Sequence, residues 1–221
     1  IFQYQQAEKY MHQGLTILDP HRFDVRGQFT IGQDGIVDVN AVIEGRVKIG
    51  KNCYLGPNVV LKNVVIGNHV EIKANSVIED AEIADGCCIG PFSRIRPGTT
   101  IAENSKVGNF VEIKKSEIGQ NTKVSHLTYI GDSSIGNNVN VGAGTVTCNY
   151  DGVNKFQTEI EDDVFIGSGT LLVAPVKVGK NAFIAAGSTI NHDAPKDKLT
   201  IARSRQVTVE HWKRPVKKEK E

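Results

Sequence analysis

From Ile31 to Ile190, aliphatic residues recur at a step of six, with an occasional five. The series runs Ile31, Val37, Ile43, Ile49, Leu55, Leu61, then Ile66, Ile72, Ile78, and continues through Ile83, Ile89, Ile95, Ile101, Val107, Ile113, Ile118, Val124, Ile130, Ile135 and Val141. After one interruption it resumes at Ile160, Ile166, Leu172, Val178, Ile184 and Ile190. Glycine or another small or acidic residue usually follows the aliphatic one, as in Leu55-Gly56, Ile89-Gly90 and Ile166-Gly167, and four positions on stands a small or β-branched residue such as Ser76, Ser93, Thr99 or Thr145. A period of six matches neither an α-helix nor a half-buried strand over such a length, so the repeat itself is the architecture.

The pattern predicts an all-β solenoid, a parallel β-helix in which three hexapeptides make one triangular coil. Aliphatic residues point inward and stack on the next coil at about 4.8 Å, and glycine-containing corners let the chain turn. A coil buries its faces only against neighbours, so the two ends need caps. Residues 6–15, with Ala7, Tyr10 and Met11 at helical spacing and Gly14 near the C-cap position, predict a short linker helix, ended by Leu18-Asp19-Pro20. Residues 195–221 are the other candidate cap. The expected division is 1–19 for the linker helix, 20–194 for the β-helix and 195–221 for the cap and tail.

The register maps the surface, because residues 17 or 18 apart are coil neighbours. Arg96 and Lys114 each follow an aliphatic residue and fall on the same position one coil apart. By the same step Glu112 lies under Tyr129, and Asn109 under His126. Two stacked cations repel unless an anion lies between them, and a phosphate suits that place, gripped bidentately by Arg and met by Lys as a point charge. His126 falls near a corner rather than in the core, where a group titrating near neutrality can take a proton from an attacking amine or hydroxyl. Residues 147–158 lack the aliphatic period and contain Asp151-Gly152, which predicts a loop leaving the coil, and inserted loops on solenoids tend to line a binding face.

Composition agrees with the repeat: 22 glycines against 8 Phe, 1 Trp and 1 Met leave Val and Ile to fill the core of this 221-residue chain. With 26 basic and 25 acidic residues there is no overall field to draw nucleic acid or a membrane, although Lys213, Arg214, Lys217, Lys218 and Lys220 make the end locally basic. There is no apolar run of membrane-spanning length and no signal-peptide pattern, and Cys53, Cys87, Cys88 and Cys148 lack CxxC spacing, so a soluble protein of the reducing cytoplasm is expected, without a disulfide framework or zinc site. Gly142-Ala143-Gly144-Thr145 is an ordinary repeat corner, and no Walker or dinucleotide fingerprint occurs in a strand-turn-helix context. The chain opens on Ile1 in mid-pattern, which suggests a longer protein.

The hexapeptide run resembles the hexapeptide-repeat acyltransferases, whose repeats form a left-handed parallel β-helix; the hand is implied by that resemblance. Within the superfamily the stretches GPFSRIRPG (90–98), VGNFVEIKK (107–115), HLTYIGD (126–132), NVNVGAGTVTCNYDG (138–152) and WKRPVKK (212–218) resemble the family of bacterial bifunctional N-acetylglucosamine-1-phosphate uridyltransferases/glucosamine-1-phosphate acetyltransferases. The likeness implies acetyl transfer from acetyl-CoA to the C2 amine of glucosamine-1-phosphate, on the route to UDP-N-acetylglucosamine. It implies His126 as general base, and Arg96, Lys114, Tyr129 and Asn140 at the sugar phosphate, with Lys155 as a further phosphate contact. Ala143, Asn149, Tyr150, Ser168, Ala186 and Arg203 would form the acetyl-CoA site. It further implies a homotrimer with shared sites and no metal for this activity. The family's uridyltransferase domain, with its magnesium site, is expected to precede Ile1, so uridyltransferase activity is not expected of this chain. A zinc carbonic anhydrase on the same solenoid would need three converging histidines, but Asn109 and Ala143 stand where the partners of His126 should be. A structural or ice-binding solenoid would show a regular exposed Thr ladder, which the irregular, charged outward positions do not.

Overall fold

Parallel pairing at the predicted offset joins 26 short strands among the described residues into one continuous sheet wound around the aliphatic positions. One file of inward residues runs Ile43, Leu61, Ile78, Ile95, Ile113, Ile130, each paired with the next, and all six are essentially solvent-free. Each such side chain contributes about 1.5–3 kcal/mol by leaving water, and because every residue packs on the coil above and below, the core is a column without a centre. The computed structural model describes residues 2–215 and is the parallel β-helix that the step of six predicts.

The small residues four positions after the aliphatic ones form a second inward layer. Ser93, Ser105, Thr122 and Thr145 are buried, and their hydroxyls donate to the carbonyls of Gly108, Gly119, Gly136 and Gly142 at 2.6–2.7 Å. A hydroxyl there satisfies corner carbonyls that the sheet ladder cannot reach. Immediately before this layer the backbone of most corners adopts positive φ, where Asn, Asp and Gly are tolerated best. One corner runs Asn40, Asn58, Asn75, then Phe92, Phe110, Leu127, then Gly144, Gly169, Gly187, all at φ between 53° and 74°.

The ends differ from expectation in detail. The helix spans Phe2–Met11, starting and ending four residues before the expected 6–15, while the turn at Gly14 and the buried Ala7 and Tyr10 are where the pattern puts them. Tyr10 packs edge-on to Phe23 and Phe29, with ring centroids 5.8 and 5.1 Å apart, so aromatic rings cover the open end of the aliphatic column. Coil pairing begins before Ile31: Thr16–Ile17 pairs with Ile36–Val37, and Phe23–Ile31 with Ala41–Ile49. At the other end Leu199–Thr200 adds a last strand against Phe183–Ile184. Ala202 still packs on the end of the core, its carbonyl accepting the Thr189 N–H at 2.9 Å, whereas Ile201, Val207, Val209 and Trp212 are all more than half exposed. Lys217, Lys218 and Lys220 lie outside the described residues.

Candidate functional site

The strand Lys123–Gly131 passes through the corner at Leu127 and carries His126 on one side of it and Tyr129 on the other. Two strips of outward residues follow from this. On the near side Asn109 pairs with His126, and the strip continues in register through Ala143, Ser168 and Ala186. Backbone bonds from Gly144 to Leu127, Gly169 to Ala143 and Gly187 to Ser168, each 2.7–2.8 Å, hold the successive coils together beside it. Arg203 closes the strip, its guanidinium donating to the Ala186 carbonyl at 2.8 Å. His126 is exposed, and Ala143, Ser168 and Ala186 offer little bulk, so the strip is a shallow track leading away from the imidazole.

On the far side Arg96 stacks over Lys114, and Glu112 under Tyr129, as the step predicts. Repulsion between the two cations is relieved within the chain. Each has its own carboxylate: Arg96 Nη1 lies 2.7 Å from Glu112 Oε1, and Lys114 Nζ 3.3 Å from Asp132 Oδ2. Asp132 is nearly solvent-free and also receives Lys115 Nζ at 3.6 Å and the Asn149 side-chain amide. Burial works against its charge, yet the Asn149 amide and the two lysines outweigh it and hold the carboxyl below the ordinary aspartate range. Lys155 reaches the same cluster from the loop. Its contact with Lys114 pushes Lys155 below the usual lysine value, while Lys114, sharing that contact and bonded to Asp132, lies above it. Four cations (Arg96, Lys114, Lys115, Lys155) against two carboxylates (Glu112, Asp132) leave two positive charges in excess.

The loop leaves the coil after Val146–Cys148 and returns at Thr158–Ile160, where the offset between paired coils widens from 17 to 25 residues. Thr147 occupies an inward position that other coils give to an aliphatic residue, because its hydroxyl accepts the Gly131 N–H at 2.8 Å. The Asp151 carboxylate turns the tip by accepting the amides of Val153 and Asn154, and the Phe156 N–H donates to the Asn149 carbonyl at 2.9 Å. The Tyr129 phenol folds over Gly131, where any Cβ would collide with it.

The expected residues thus fall into two groups. Arg96, Lys114, Tyr129, Asn149 and Lys155 belong to the charged side, whereas His126, Ala143, Ser168, Ala186 and Arg203 form the track. Asn140 does not join Tyr129 within one chain: it pairs with Lys123 and Phe165 on the face before the corner. Tyr150 is exposed on the loop, its hydroxyl donating to the Gly152 carbonyl. Sequence reasoning missed Asp132 and Lys115. The register could have found both, since they align at one corner position, but a lone acidic residue after Gly131 resembles any other corner. Asn109 and Ala143 flank His126 in the register, so neither neighbouring coil offers a second imidazole for a three-histidine zinc site.

Residues 25–99 match the model of the GMPPB C-terminal domain, and residues 157–192 that of the bacterial transferase hexapeptide (six repeats). The chain is similar over 99% of its length to a bifunctional protein GlmU of Ruthia magnifica, at 57% identity, covering 48% of that protein. A bifunctional protein GlmU of Methylococcus capsulatus is 56% identical over all of this chain and 48% of its own length. The chain therefore spans about half the length of the curated relatives it matches.

Proposed function

Because the chain belongs to the family of bifunctional GlmU proteins, among the hexapeptide-repeat transferases, we propose that it transfers the acetyl group of acetyl-CoA to the amine of glucosamine-1-phosphate. One observation carries the reading: the register lines His126 up with Ala143, Ser168 and Ala186 on one track, which the Arg203 guanidinium reaches through the Ala186 carbonyl, with a cationic pocket across the corner.

The track has the dimensions of an extended thioester arm. Four coil steps separate His126 from Arg203, roughly 19 Å at the strand spacing. Small residues let the arm lie close to the backbone, and Arg203 offers a guanidinium to phosphates at the far end. The pocket's two excess charges match a phosphate monoester, which carries about −1.5 to −2 at neutral pH. Arg96, Lys114 and Lys155 hold that group, while Tyr129, kept in place by Gly131, meets the sugar.

A thioester is already activated, so the chain's task is to position the amine and remove its proton as nitrogen attacks the carbonyl carbon. His126 is the group placed to accept that proton. The sulfur leaves as CoA thiol, and no metal is required by these residues. Since Asn140 and Tyr129 occupy different faces of one chain, a homotrimer with sites built between copies accounts for both acting on one sugar. The setting is the cytoplasm, where both substrates occur.

Supplying glucosamine-1-phosphate and acetyl-CoA and following free thiol tests the reading. Thiol release dependent on the amino sugar is expected, and its absence from the assembled protein overturns the assignment.

A further inference from the structure

Phe165 and Phe183 each precede an inward isoleucine, Ile166 and Ile184, and their rings stand exposed on the outer surface. They pair coil on coil and stack, with ring centroids 4.5 Å apart and planes within 15° of parallel. Leu199, also exposed, follows Phe183 in the next coil. Earlier coils fill the same column with Lys106, Lys123 and Asn140. The column therefore turns from polar to apolar on leaving the coil of Ala143 for that of Ser168.

This column runs beside the track, three residues ahead of it: Lys123 leads to His126, Asn140 to Ala143, Phe165 to Ser168 and Phe183 to Ala186. Between rings and track lie Gly167 and Ala185, both buried, and a Cβ on Gly167 would run into the Ala186 backbone. Nothing bulky separates the aromatic wall from the track. At about 4.8 Å per coil, Ser168 and Ala186 lie roughly 10–14 Å from His126. An extended pantetheine arm with its sulfur at the imidazole brings its branched dimethyl carbon to that height, beyond its two amides and short of the phosphates near Arg203. Stacked rings left in water gain from being covered, and the dimethyl carbon is the part of the arm whose burial against them is most favourable.

We propose that Phe165 and Phe183 bind the thioester donor, as a wall that receives the dimethyl segment of the pantetheine arm between His126 and Arg203. The proposal rests on the acetyltransferase reading above and adds to it the residues that recognise the arm.

Initial rates of thiol release by the assembled protein test it, with acetyl-CoA and with acetyl-phosphopantetheine, which keeps the arm and lacks the nucleoside. In Phe165→Ala and in Phe183→Ala, KM for acetyl-CoA is expected to rise roughly ten-fold, the effect of withdrawing contact from two methyl groups. KM for glucosamine-1-phosphate should move far less, and kcat/KM with acetyl-phosphopantetheine should fall by the same factor as with acetyl-CoA. Phe183→Leu, which keeps an apolar surface, should retain most of the affinity, whereas Phe183→Gln, which keeps bulk alone, should not. An unchanged KM for acetyl-CoA in the alanine and glutamine variants overturns the wall. So does a loss confined to acetyl-CoA, which would give the rings to the nucleoside, or an equal rise in KM for both substrates, which would give them to the fold. A changed oligomeric state with KM unchanged assigns them to a second copy of the chain and overturns the wall likewise. Absence of thiol release by the wild type removes the acetyltransferase reading and the wall with it, while wild-type turnover with unaltered KM in the variants removes the wall alone.

Discussion

The coils around residues 41–83 and those around residues 92–158 share one interior and differ at their corners. In the earlier coils one corner is Asn40, Asn58 and Asn75, whose amides bond to one another at 2.9 and 3.1 Å. In the later coils the same corner is Phe92, Phe110 and Leu127, each about half exposed, with the two phenyl rings stacked at 5.3 Å. Left-handed backbone suits asparagine and disfavours bulky residues, so the later coils retain a local strain that the earlier ones avoid. Those strained corners belong to the coils that carry Arg96, Lys114, His126 and Tyr129. The interior therefore makes the solenoid, and the corners and outward positions of a few coils distinguish a site from a scaffold.

The largest effect that should separate the two regions is on turnover. His126→Ala is expected to lower kcat by roughly 10²–10⁴-fold with unchanged thermal stability, because the imidazole is exposed and contributes nothing to the core. Asn109→Ala, one coil earlier on the same strip, should change kcat far less. Equal losses in the two variants would contradict the assignment of His126 as base.

Gly131→Ala should come next. The added methyl meets the Tyr129 phenol most closely and the Asn149 amide less so, displacing the ring, so KM for glucosamine-1-phosphate should rise roughly ten-fold, about 1.4 kcal/mol, with a smaller change for acetyl-CoA. A change confined to acetyl-CoA would place Tyr129 in the wrong half of the site.

A pH dependence of a few-fold should follow from Lys155. Its folded pKa is depressed chiefly by Lys114, so as pH rises it loses its charge below the ordinary lysine value of about 10.4, and the pocket loses one of its positive charges. KM for the sugar phosphate should therefore climb at alkaline pH. Lys155→Arg, which stays protonated, should move that climb upward. An unchanged profile in the arginine variant would remove Lys155 from the phosphate site.

The smallest effect sharpens the comparison from the side of stability. Leu127→Asn gives the later corner the residue of the earlier one and should stabilise the fold by about 1 kcal/mol, read as a higher thermal midpoint. Loss of stability would mean that Leu127 is covered in the assembled protein and contributes through packing.

Much of this could be read from the chain because a step of six leaves little freedom. The Arg96–Lys114 and Glu112–Tyr129 stacks and the departure of the loop follow from counting alone. Counting says which residues stack, however, and is silent about which face they share. His126 and Tyr129 are only three residues apart, yet the corner at Leu127 sends them to opposite sides, and Asn140 lies on a face that Tyr129 does not. Asp132 was passed over although counting reaches it: Lys115, Asp132 and Asn149 are 17 apart and align at one corner, but a lone acidic residue after Gly131 resembles any other corner. The exposure of Val207 and Trp212 after Thr200 was beyond counting, because the repeat ends before them.

A crystal structure with CoA bound tests the central claim most directly. The account predicts the arm lying along Ala143, Ser168 and Ala186, with the sulfur end at His126 and the phosphates toward Arg203. CoA bound on another face, or in this track with its sulfur far from His126, would contradict it.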